Sequence, residues 1–221
     1  QGALMKAVIF ANGDLDPDFV QLPEHEDILV LAANGGSLHC QRLGLRPDIL
    51  IGDLDSLPDH LLEEWRRSGV KILAHPPRKD ETDLELALKH AQKLGAENIV
   101  VYGALGKRLD MTLTNFFLLA HPALDCELEI RAQNQRLLAL KGGCELTIAG
   151  QPGDMLSLIP LVPRTRGITT HNLEYPLTDE ALRFGATRGI SNVFQTDQVK
   201  VSLDDGVLAV IHTPAGAPDG E

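Results

Sequence analysis

Short hydrophobic runs recur through the first half of the chain, and each one ends at a polar or glycine-rich turn. They lie at residues 6–11, 27–33, 47–51, 70–73 and 98–102. Runs of this length, bounded by turn residues, are typical of buried strands. Between them apolar residues recur at helical spacing, most regularly at Leu84, Ala87, Leu88, Ala91 and Leu94. Because strands that alternate with helices form parallel sheets, the pattern predicts an α/β fold with a Rossmann-like sheet.

Beyond residue 126 the pattern changes to short alternating segments separated by turn residues. They lie at residues 127–131, 137–140, 145–148, 155–159, 199–203 and 207–212. Regularly spaced short strands favour an all-β sandwich. We therefore predict an α/β domain at residues 5–132 and a β-sandwich domain at residues 133–213. We interpret residues 1–4 as the remnant of a cleaved tag and residues 214–221 as a flexible tail.

Composition and charge narrow the class of protein. The 221 residues carry a formal net charge of −11, whereas a nucleic-acid binder normally shows a basic face. The three cysteines form no C-x-x-C pair, which favours a reducing compartment over a disulfide framework. No apolar run reaches ~18 residues, the length of a membrane helix, and no signal peptide is visible. We therefore expect a cytoplasmic protein with no nucleic-acid or membrane partner.

The segment Gly52-Asp53-Leu54-Asp55-Ser56 is the first candidate for chemistry. It follows a buried strand, and in open α/β sheets ligands bind outside the carboxyl ends of the strands. Two carboxylates at this spacing can converge on one divalent cation such as Mg²⁺, which takes oxygen ligands and often brings phosphates. The alternative is a solvated acidic turn. A similar segment, Gly13-Asp14-Leu15-Asp16, is interpreted as a plain turn after the first strand.

Further strand-to-helix junctions carry residues suited to phosphate. Asn34-Gly35-Gly36 precedes a helix, whose free N–H groups favour anions. A second junction holds Arg78, Lys79, Asp80, Thr82 and Asp83, with Asp80 as the predicted N-cap and Asp83 at the third helical position. A third runs from Gly103 to Asp110. Each junction also has a purely structural interpretation, because acids and small polar residues suit a first helical turn.

The second half contains one segment that a hairpin does not require. Ser191, Asn192 and Phe194 place a hydroxyl, an amide and an aromatic ring close together in a glycine-rich segment. Such a group is suited to seating a flat heterocycle.

Five segments occur in a fixed order along nearly the whole chain. They are Gly35-Gly36, Pro47-Asp48-x-x-Ile51-Gly52-Asp53-x-Asp55-Ser56, Lys79-Asp80-x-Thr82-Asp83, Gly103-Ala104-Leu105-Gly106-x-Arg108-x-Asp110 with Asn115, and Gly189-x-Ser191-Asn192. Together they resemble the thiamine pyrophosphokinase (thiamine diphosphokinase) family. The resemblance implies transfer of a pyrophosphoryl group from ATP to the hydroxyl of thiamine, which yields thiamine diphosphate and AMP. It also implies a Mg²⁺ requirement and a homodimer whose site is shared between protomers.

The same resemblance implies roles for particular residues. It implies that Asp53, Asp55 and Asp83 hold Mg²⁺ and form the catalytic group. The ATP-binding residues it implies are Asn34, Gly35, Lys79, Asp80, Thr82, Arg108, Asp110 and Asn115. It implies that Ser191, Asn192 and Phe194 contact thiamine.

The chain departs from the family pattern at three positions. Asn34 stands where the family usually has Asp, Lys107 where it usually has Gly, and Met111 where it usually has His. These departures leave two alternatives open. One is a pyrophosphokinase for another hydroxymethyl heterocycle, such as a pterin. The other is a homologue that binds nucleotide or thiamine without catalysis.

Overall fold

The computed structural model describes residues 5–22, 28–106 and 108–216, and the chain forms two compact units, residues 1–133 and 134–221. The predicted tag remnant at residues 1–4, Lys107 and residues 217–221 of the predicted tail lie outside the described residues.

The first unit is an alternation of strands and helices. Its strands are β1 (Met5–Phe10), β2 (Ile28–Ala33), β3 (Ile49–Gly52), β4 (Lys71–Ala74), β5 (Ala96–Tyr102) and β6 (Glu127–Ala132). Its helices are α1 (Gly36–Arg42), α2 (Asp59–Arg67), α3 (Asp83–Lys93) and α4 (Leu109–Phe117). Single 3-10 turns at Pro17–Phe19 and Leu118–Ala120 complete the described elements of this unit.

The sheet of the first unit is parallel, with the order β6-β5-β1-β2-β3-β4. The chain builds outward from β1 to β4 and then returns to the other side of β1 with β5. The strand order therefore reverses between β1 and β5, and ligands of open α/β sheets bind outside the carboxyl ends at such a point.

Helices cover this sheet because its strands are apolar on both faces. On one face Phe10 of β1 stacks on Tyr102 of β5, with ring centroids 5.7 Å apart. Leu61 and Trp65 of α2 and Cys40 of α1 complete that cluster. Helix α3 packs against β1, β2, β3 and β5 through a separate buried stripe of Leu84, Ala87, Leu88 and Ala91. Leu94, also predicted for this face, is 42% exposed because the helix ends before it.

The second unit consists of antiparallel strands. They are β7 (Gln135–Lys141), β8 (Cys144–Ala149), β9 (Met155–Pro160), β10 (Thr169–His171), β11 (Asn192–Val193), β12 (Gln198–Leu203) and β13 (Val207–Thr213). Within this unit β11, β9, β13 and β7 are neighbours in one sheet, and β10, β12 and β8 form another. Leu156, Leu208 and Val201 come from both sheets and share one buried core, as in a sandwich.

A buried polar pair lies inside the second unit. Nε2 of His212 lies 2.7 Å from Oδ2 of Asp154, and both side chains are about 95% buried. The same carboxylate accepts hydrogen bonds from the N–H groups of Ala215 and Gln151, at 2.8 and 2.9 Å. Although burial opposes ionisation, these hydrogen bonds and His212 lower the pKa of Asp154 below its ordinary value.

The predicted fold class is confirmed, and the differences are local. Strand β6 pairs parallel to β5, although its pattern resembles the short strands that follow it. Strands β10 and β11 escaped prediction because they span only three and two residues. Across residues 5–22, 28–106 and 108–216, no helix is long and apolar enough to cross a membrane.

Candidate active site

A cleft of about 470 Å³ opens where the strand order of the first unit reverses. The loops that follow β1, β2, β3 and β5 line it, together with the beginnings of α3 and α4. Six of the predicted site residues line this cleft, namely Asn34, Asp53, Asp55, Asp83, Arg108 and Asn115. Side chains from four separate segments of the sequence thus meet at one edge of the sheet.

The loop after β3 carries Asp53 and Asp55 on either side of a constrained residue. Leu54 has a φ of 67°, a left-handed conformation that costs a non-glycine residue roughly 1–2 kcal/mol. Its side chain packs against the hydrophobic core beneath the sheet. Gly52 is required just before, because a Cβ there would lie 2.9 Å from Cβ of Asn34.

Asn34 joins the three predicted catalytic carboxylates. Its Nδ2 donates to Oδ1 of Asp53 at 2.7 Å, to Oδ1 of Asp55 at 3.2 Å and to Oδ2 of Asp83 at 3.1 Å. Contacts with Asp53, then with Asn34 and Ser56, lower the pKa of Asp55. The amide nitrogen of Asn34 therefore lies among the carboxyl groups of all three residues.

Asp83 enters the cleft from the start of α3. The N-cap of this helix is Thr82, whose Oγ1 accepts a hydrogen bond from the N–H of Glu85 at 3.2 Å. The predictions of Asp80 as N-cap and of Asp83 as the third helical residue were therefore wrong, since Asp83 is the first. Asp80 and Thr82 are both residues that commonly cap helices. The side-chain oxygen that accepts from the first turn of α3 is that of Thr82.

Lys79 neutralises part of this acidic group. Its Nζ lies 2.7 Å from Oδ1 of Asp83, and its side chain is only 12% exposed. Lys79 does not appear on the cleft surface, and neither do the predicted residues Gly35, Asp80, Thr82 or Asp110. Lys79 therefore acts on the cleft through Asp83 in this conformation.

The loop after β5 and the start of α4 form the third wall. Nδ2 of Asn115 is buried and donates to the carbonyl of Ala104 at 2.7 Å. Oγ1 of Thr112 bonds both the N–H and the carbonyl of Gly106, each at 3.0 Å. At the rim, Arg108 forms an exposed pair with Asp110 at 2.6 Å. Arg108 is thus the basic residue that this wall contributes to the cleft lining.

The loop after β1 forms the wall that sequence reasoning missed. Asn12, Gly13 and Asp14 line the cleft, although this segment was interpreted as a plain turn. Backbone hydrogen bonds of 2.7 Å join Gly13 to Gly103 and Asp14 to Leu105, so the pairing of β1 with β5 continues past the strand ends. The signal that identifies this loop is the strand order, because β1 borders the reversal point.

The predicted thiamine contacts lie in the second unit, where each has a distinct setting. Ser191 has a φ of 57°, and its N–H donates to Oγ of Ser157. The amide of Asn192 bonds both the N–H and the carbonyl of Tyr175, at 3.0 and 2.7 Å. The backbone of Tyr175 is consequently held beside Asn192, and 65% of the residue is exposed.

Phe194 is placed differently from Ser191 and Asn192. It is 1% exposed and stacks on the ring of His212, with centroids 5.2 Å apart. This burial favours a role in the core of the second unit over the predicted contact with thiamine.

The chemistry of the donor set suits a hard cation, because Asp53, Asp55 and Asp83 offer carboxylate oxygens. Among the residues that the structure describes, however, no group of three or more acidic, His or Cys side chains is arranged to hold a metal ion. The reason is visible at Asn34, whose amide nitrogen takes the position that the three carboxylates share. A cation would need that amide to move.

Two family models match this chain. The model described as "Thiamin pyrophosphokinase, catalytic domain" matches residues 19–131, and the model described as "Thiamin pyrophosphokinase, vitamin B1 binding domain" matches residues 144–208. The chain belongs to the thiamin pyrophosphokinase family. The resemblance seen in the sequence is confirmed, and membership supports ATP-dependent pyrophosphoryl transfer to thiamine. The match to the catalytic domain contains the loops after β2, β3 and β5, whereas the loop from Asn12 to Asp14 precedes it.

Curated relatives and solved structures carry the same family name. The thiamine pyrophosphokinase of Bacillus subtilis is 26% identical over 215 residues, which cover 95% of this chain and 99% of that protein. Thiamine pyrophosphokinase 1 of Arabidopsis thaliana is 25% identical over 184 residues, or 75% of this chain, and this chain spans 65% of its length.

The likeness extends to three dimensions. The thiamin pyrophosphokinase of Geobacillus thermodenitrificans superposes with a TM-score of 0.80 at 27% identity, covering 96% of this chain and 99% of that one. The B. subtilis structure gives a TM-score of 0.81 at 23% identity, covering 95% and 99%. These structures share the fold across both units.

Proposed function

We propose that this chain transfers a pyrophosphoryl group from ATP to the hydroxyl of thiamine, producing thiamine diphosphate and AMP. The observation that carries the proposal is the convergence of Asp53, Asp55 and Asp83 in a cleft at the reversal point of the sheet. That cleft lies largely in the segment that matches the family's catalytic domain. We further propose that residues 5–132 form the ATP-binding domain and residues 133–213 the thiamine-binding domain.

The reaction requires neutralisation of the triphosphate charge and alignment of the thiamine hydroxyl with the β-phosphorus. It requires no covalent intermediate with the protein. The hydroxyl oxygen of thiamine attacks the β-phosphorus of ATP, the bond from that phosphorus to the oxygen of AMP breaks, and the hydroxyl loses its proton. Loose phosphoryl-type transition states of this kind depend on positioning and electrostatic stabilisation. We propose that Mg²⁺, held by Asp53, Asp55 and Asp83, supplies neutralisation of the triphosphate when bound.

The other predicted site residues of the first unit are assigned to the nucleotide. We propose that Arg108 at the rim binds phosphate oxygens, since a guanidinium matches phosphate geometry. Lys79 and Thr82 act close to the same phosphates, beside Asp83 at the start of α3. The other proposed ATP-binding residues are Asn34, Gly35, Asp80, Asp110 and Asn115.

We propose that Ser191 and Asn192 hold thiamine. The exposed Tyr175, whose backbone is bonded to Asn192, supports this assignment, because a flat heterocycle stacks well on an aromatic side chain. Thiamine is a cation, and the net charge of −11 favours its approach.

We propose that the protein is a homodimer with the site shared between protomers, and that it acts in the cytoplasm, where ATP is available. Support for an assembly comes from α4, whose Leu109, Leu113 and Phe117 are 69%, 49% and 48% exposed. Their spacing of four residues places them on one helix face, and such an exposed apolar stripe is typical of an interface.

The test is incubation of the protein with ATP, Mg²⁺ and thiamine, with AMP and thiamine diphosphate measured together by chromatography. Equal amounts of the two products are expected. Release of ADP in place of AMP would show transfer of a single phosphoryl group and refute the proposal. Turnover of a hydroxymethyl pterin but not thiamine would favour the second substrate class, and binding of thiamine without AMP would favour the non-catalytic homologue.

A further inference from the structure

Asn34 differs from the other polar residues of the cleft in the number of carboxylates to which it donates hydrogen bonds. One amide nitrogen lies within 3.2 Å of carboxylate oxygens from Asp53, Asp55 and Asp83. An amide nitrogen has only two hydrogens, so three acceptors exceed its capacity and one hydrogen must be shared. The amide nitrogen of Asn34 therefore lies at the point that the three carboxylates share.

The backbone of Asn34 is fixed, so only its side chain is able to respond to a ligand. Its φ of 47° is left-handed, a conformation that Asn tolerates better than most residues. Its N–H donates to the carbonyl of Ile51 at 2.7 Å, and its own carbonyl accepts from the N–H of Ser37 at 3.1 Å. These bonds tie the residue to β3 and to the start of α1.

A second observation points from this side chain toward a ligand. Asn34 is 7% exposed, yet its Oδ1 has no hydrogen-bond partner among the described residues. A buried amide oxygen without a donor is destabilising, because it has lost its hydrogen bonds to water without replacement. Once the nitrogen is displaced, that oxygen is available as an additional hard ligand for a cation.

We propose that Asn34 is a positioning residue whose amide nitrogen gathers the three carboxylates at the point that they share and competes there with an entering divalent cation. This inference deepens the proposed function and rests on it for the biological role of the cation. The amide reduces repulsion among the carboxylates without adding charge, so the cleft stays assembled before Mg²⁺ enters. The same hydrogen bonds must break when Mg²⁺ takes those oxygens, so the amide weakens Mg²⁺ binding.

The first test uses the wild-type chain and Mg²⁺ alone, without nucleotide or thiamine. The side-chain amide protons of Asn34 are followed by ¹⁵N-edited NMR during titration with MgCl₂ at constant ionic strength. We expect them to shift in step with the binding curve. Mg²⁺ binding that shifts Asp53 and Asp55 but leaves the Asn34 amide unchanged would overturn the proposal, and so would the absence of binding at millimolar Mg²⁺.

The second test uses two variants that remove the amide in different ways. Asn34→Gly keeps the left-handed backbone without strain, and Asn34→Asp adds a fourth carboxylate. In EDTA both variants should melt below wild type, and Mg²⁺ should raise their midpoints more than it raises that of wild type. We expect the Mg²⁺ dissociation constant to fall about tenfold, the size of one lost hydrogen bond to a charged group.

The matched control is Asn98→Asp. Nδ2 of Asn98 donates to Oε2 of Glu127 at 2.9 Å, so this change also places a new carboxylate opposite an existing one, but away from the cleft. It should leave the response to Mg²⁺ as in wild type. An equal response in all variants would refute the proposal. Because no ATP or thiamine is present, a failure of pyrophosphokinase activity leaves this result intact, and the two failures are distinguishable.

Discussion

The ammonium group of Lys79 lies 2.7 Å from Oδ1 of Asp83, which follows it by four residues and begins α3. Oδ2 of the same carboxylate accepts the amide of Asn34. Asp83 is therefore neutralised on one oxygen by a cation and held on the other by a neutral donor. Lys79 is thereby fixed beside the position proposed for the triphosphate.

Replacing Lys79 with Met should raise KM for ATP about tenfold or more. The variant lacks the proposed charge-assisted contact between the ammonium group and the triphosphate, which is worth roughly 1.5–3 kcal/mol. Steady-state kinetics with ATP as the varied substrate measure the effect. The control is Lys89→Met. Nζ of Lys89 lies 2.6 Å from Oε1 of Glu85, and both residues belong to α3 but lie outside the cleft. Equal changes in both variants would mean that Lys79 serves helix stability alone.

Asp55→Asn should reduce turnover by about 10³-fold, a size typical of removing one group that stabilises transition-state charge. The thermal midpoint should hardly change, because Asp55 is exposed at the cleft surface, where water solvates the carboxylate and the replacing amide alike. Asp59→Asn, in the exposed first turn of α2, is the control and should retain activity. A large loss of stability with Asp55→Asn would argue for a structural acidic turn instead.

Leu113→Lys should separate the proposed homodimer, because it places a charge in the middle of the exposed apolar stripe of α4. Analytical ultracentrifugation across a range of protein concentrations measures the change. Thr114→Lys adds the same charge at the neighbouring exposed position and should leave the assembly intact. The stripe is not an interface if both variants sediment as wild type does.

Asp154→Asn should destabilise the second unit at neutral pH by roughly 2 kcal/mol, because the buried carboxylate loses charge-assisted hydrogen bonds. The lowered pKa of Asp154 determines how its contribution to the free energy of unfolding depends on pH. Its contribution is complete above the ordinary pKa of 3.8 and disappears as the pH falls through the lower folded pKa.

Urea unfolding between pH 7 and pH 2.5 should therefore show wild type and Asp154→Asn converging only at the acid end. Asp197→Asn removes an exposed carboxylate of the same unit and should follow wild type throughout. A difference between wild type and Asp154→Asn that stays constant to the lowest pH would contradict the assignment.

Much of the α/β sheet and of the acidic group was predictable, because both depend on short segments. Apolar runs gave β2, β3 and β5, and a D-x-D motif after a buried strand placed Asp53 and Asp55 at the sheet edge. The same motif after β1 was interpreted as a turn, since its meaning depends on the order of strands. That order follows from tertiary pairing, which no local pattern contains.

The second unit was harder to predict for the same reason. Phe194 sits in a polar glycine-rich segment, yet β11 pairs with β9 across more than thirty residues and brings the ring into the core. Long-range antiparallel pairing decides which side chains are buried, so a surface role for Phe194 looked plausible from neighbours in sequence alone. The clamp of Asn192 on Tyr175 likewise joins residues 17 positions apart.

Leu54 ties the acidic loop to the interior of the protein. It stands between Asp53 and Asp55, holds a left-handed φ of 67° and packs its partly buried side chain against the core. The distance between the carboxylates of Asp53 and Asp55 is therefore restricted by the packing of Leu54. Substitutions on the other walls can change the binding properties of this cleft independently. A change in the positions of the two carboxylates would also require the hydrophobic core around Leu54 to repack.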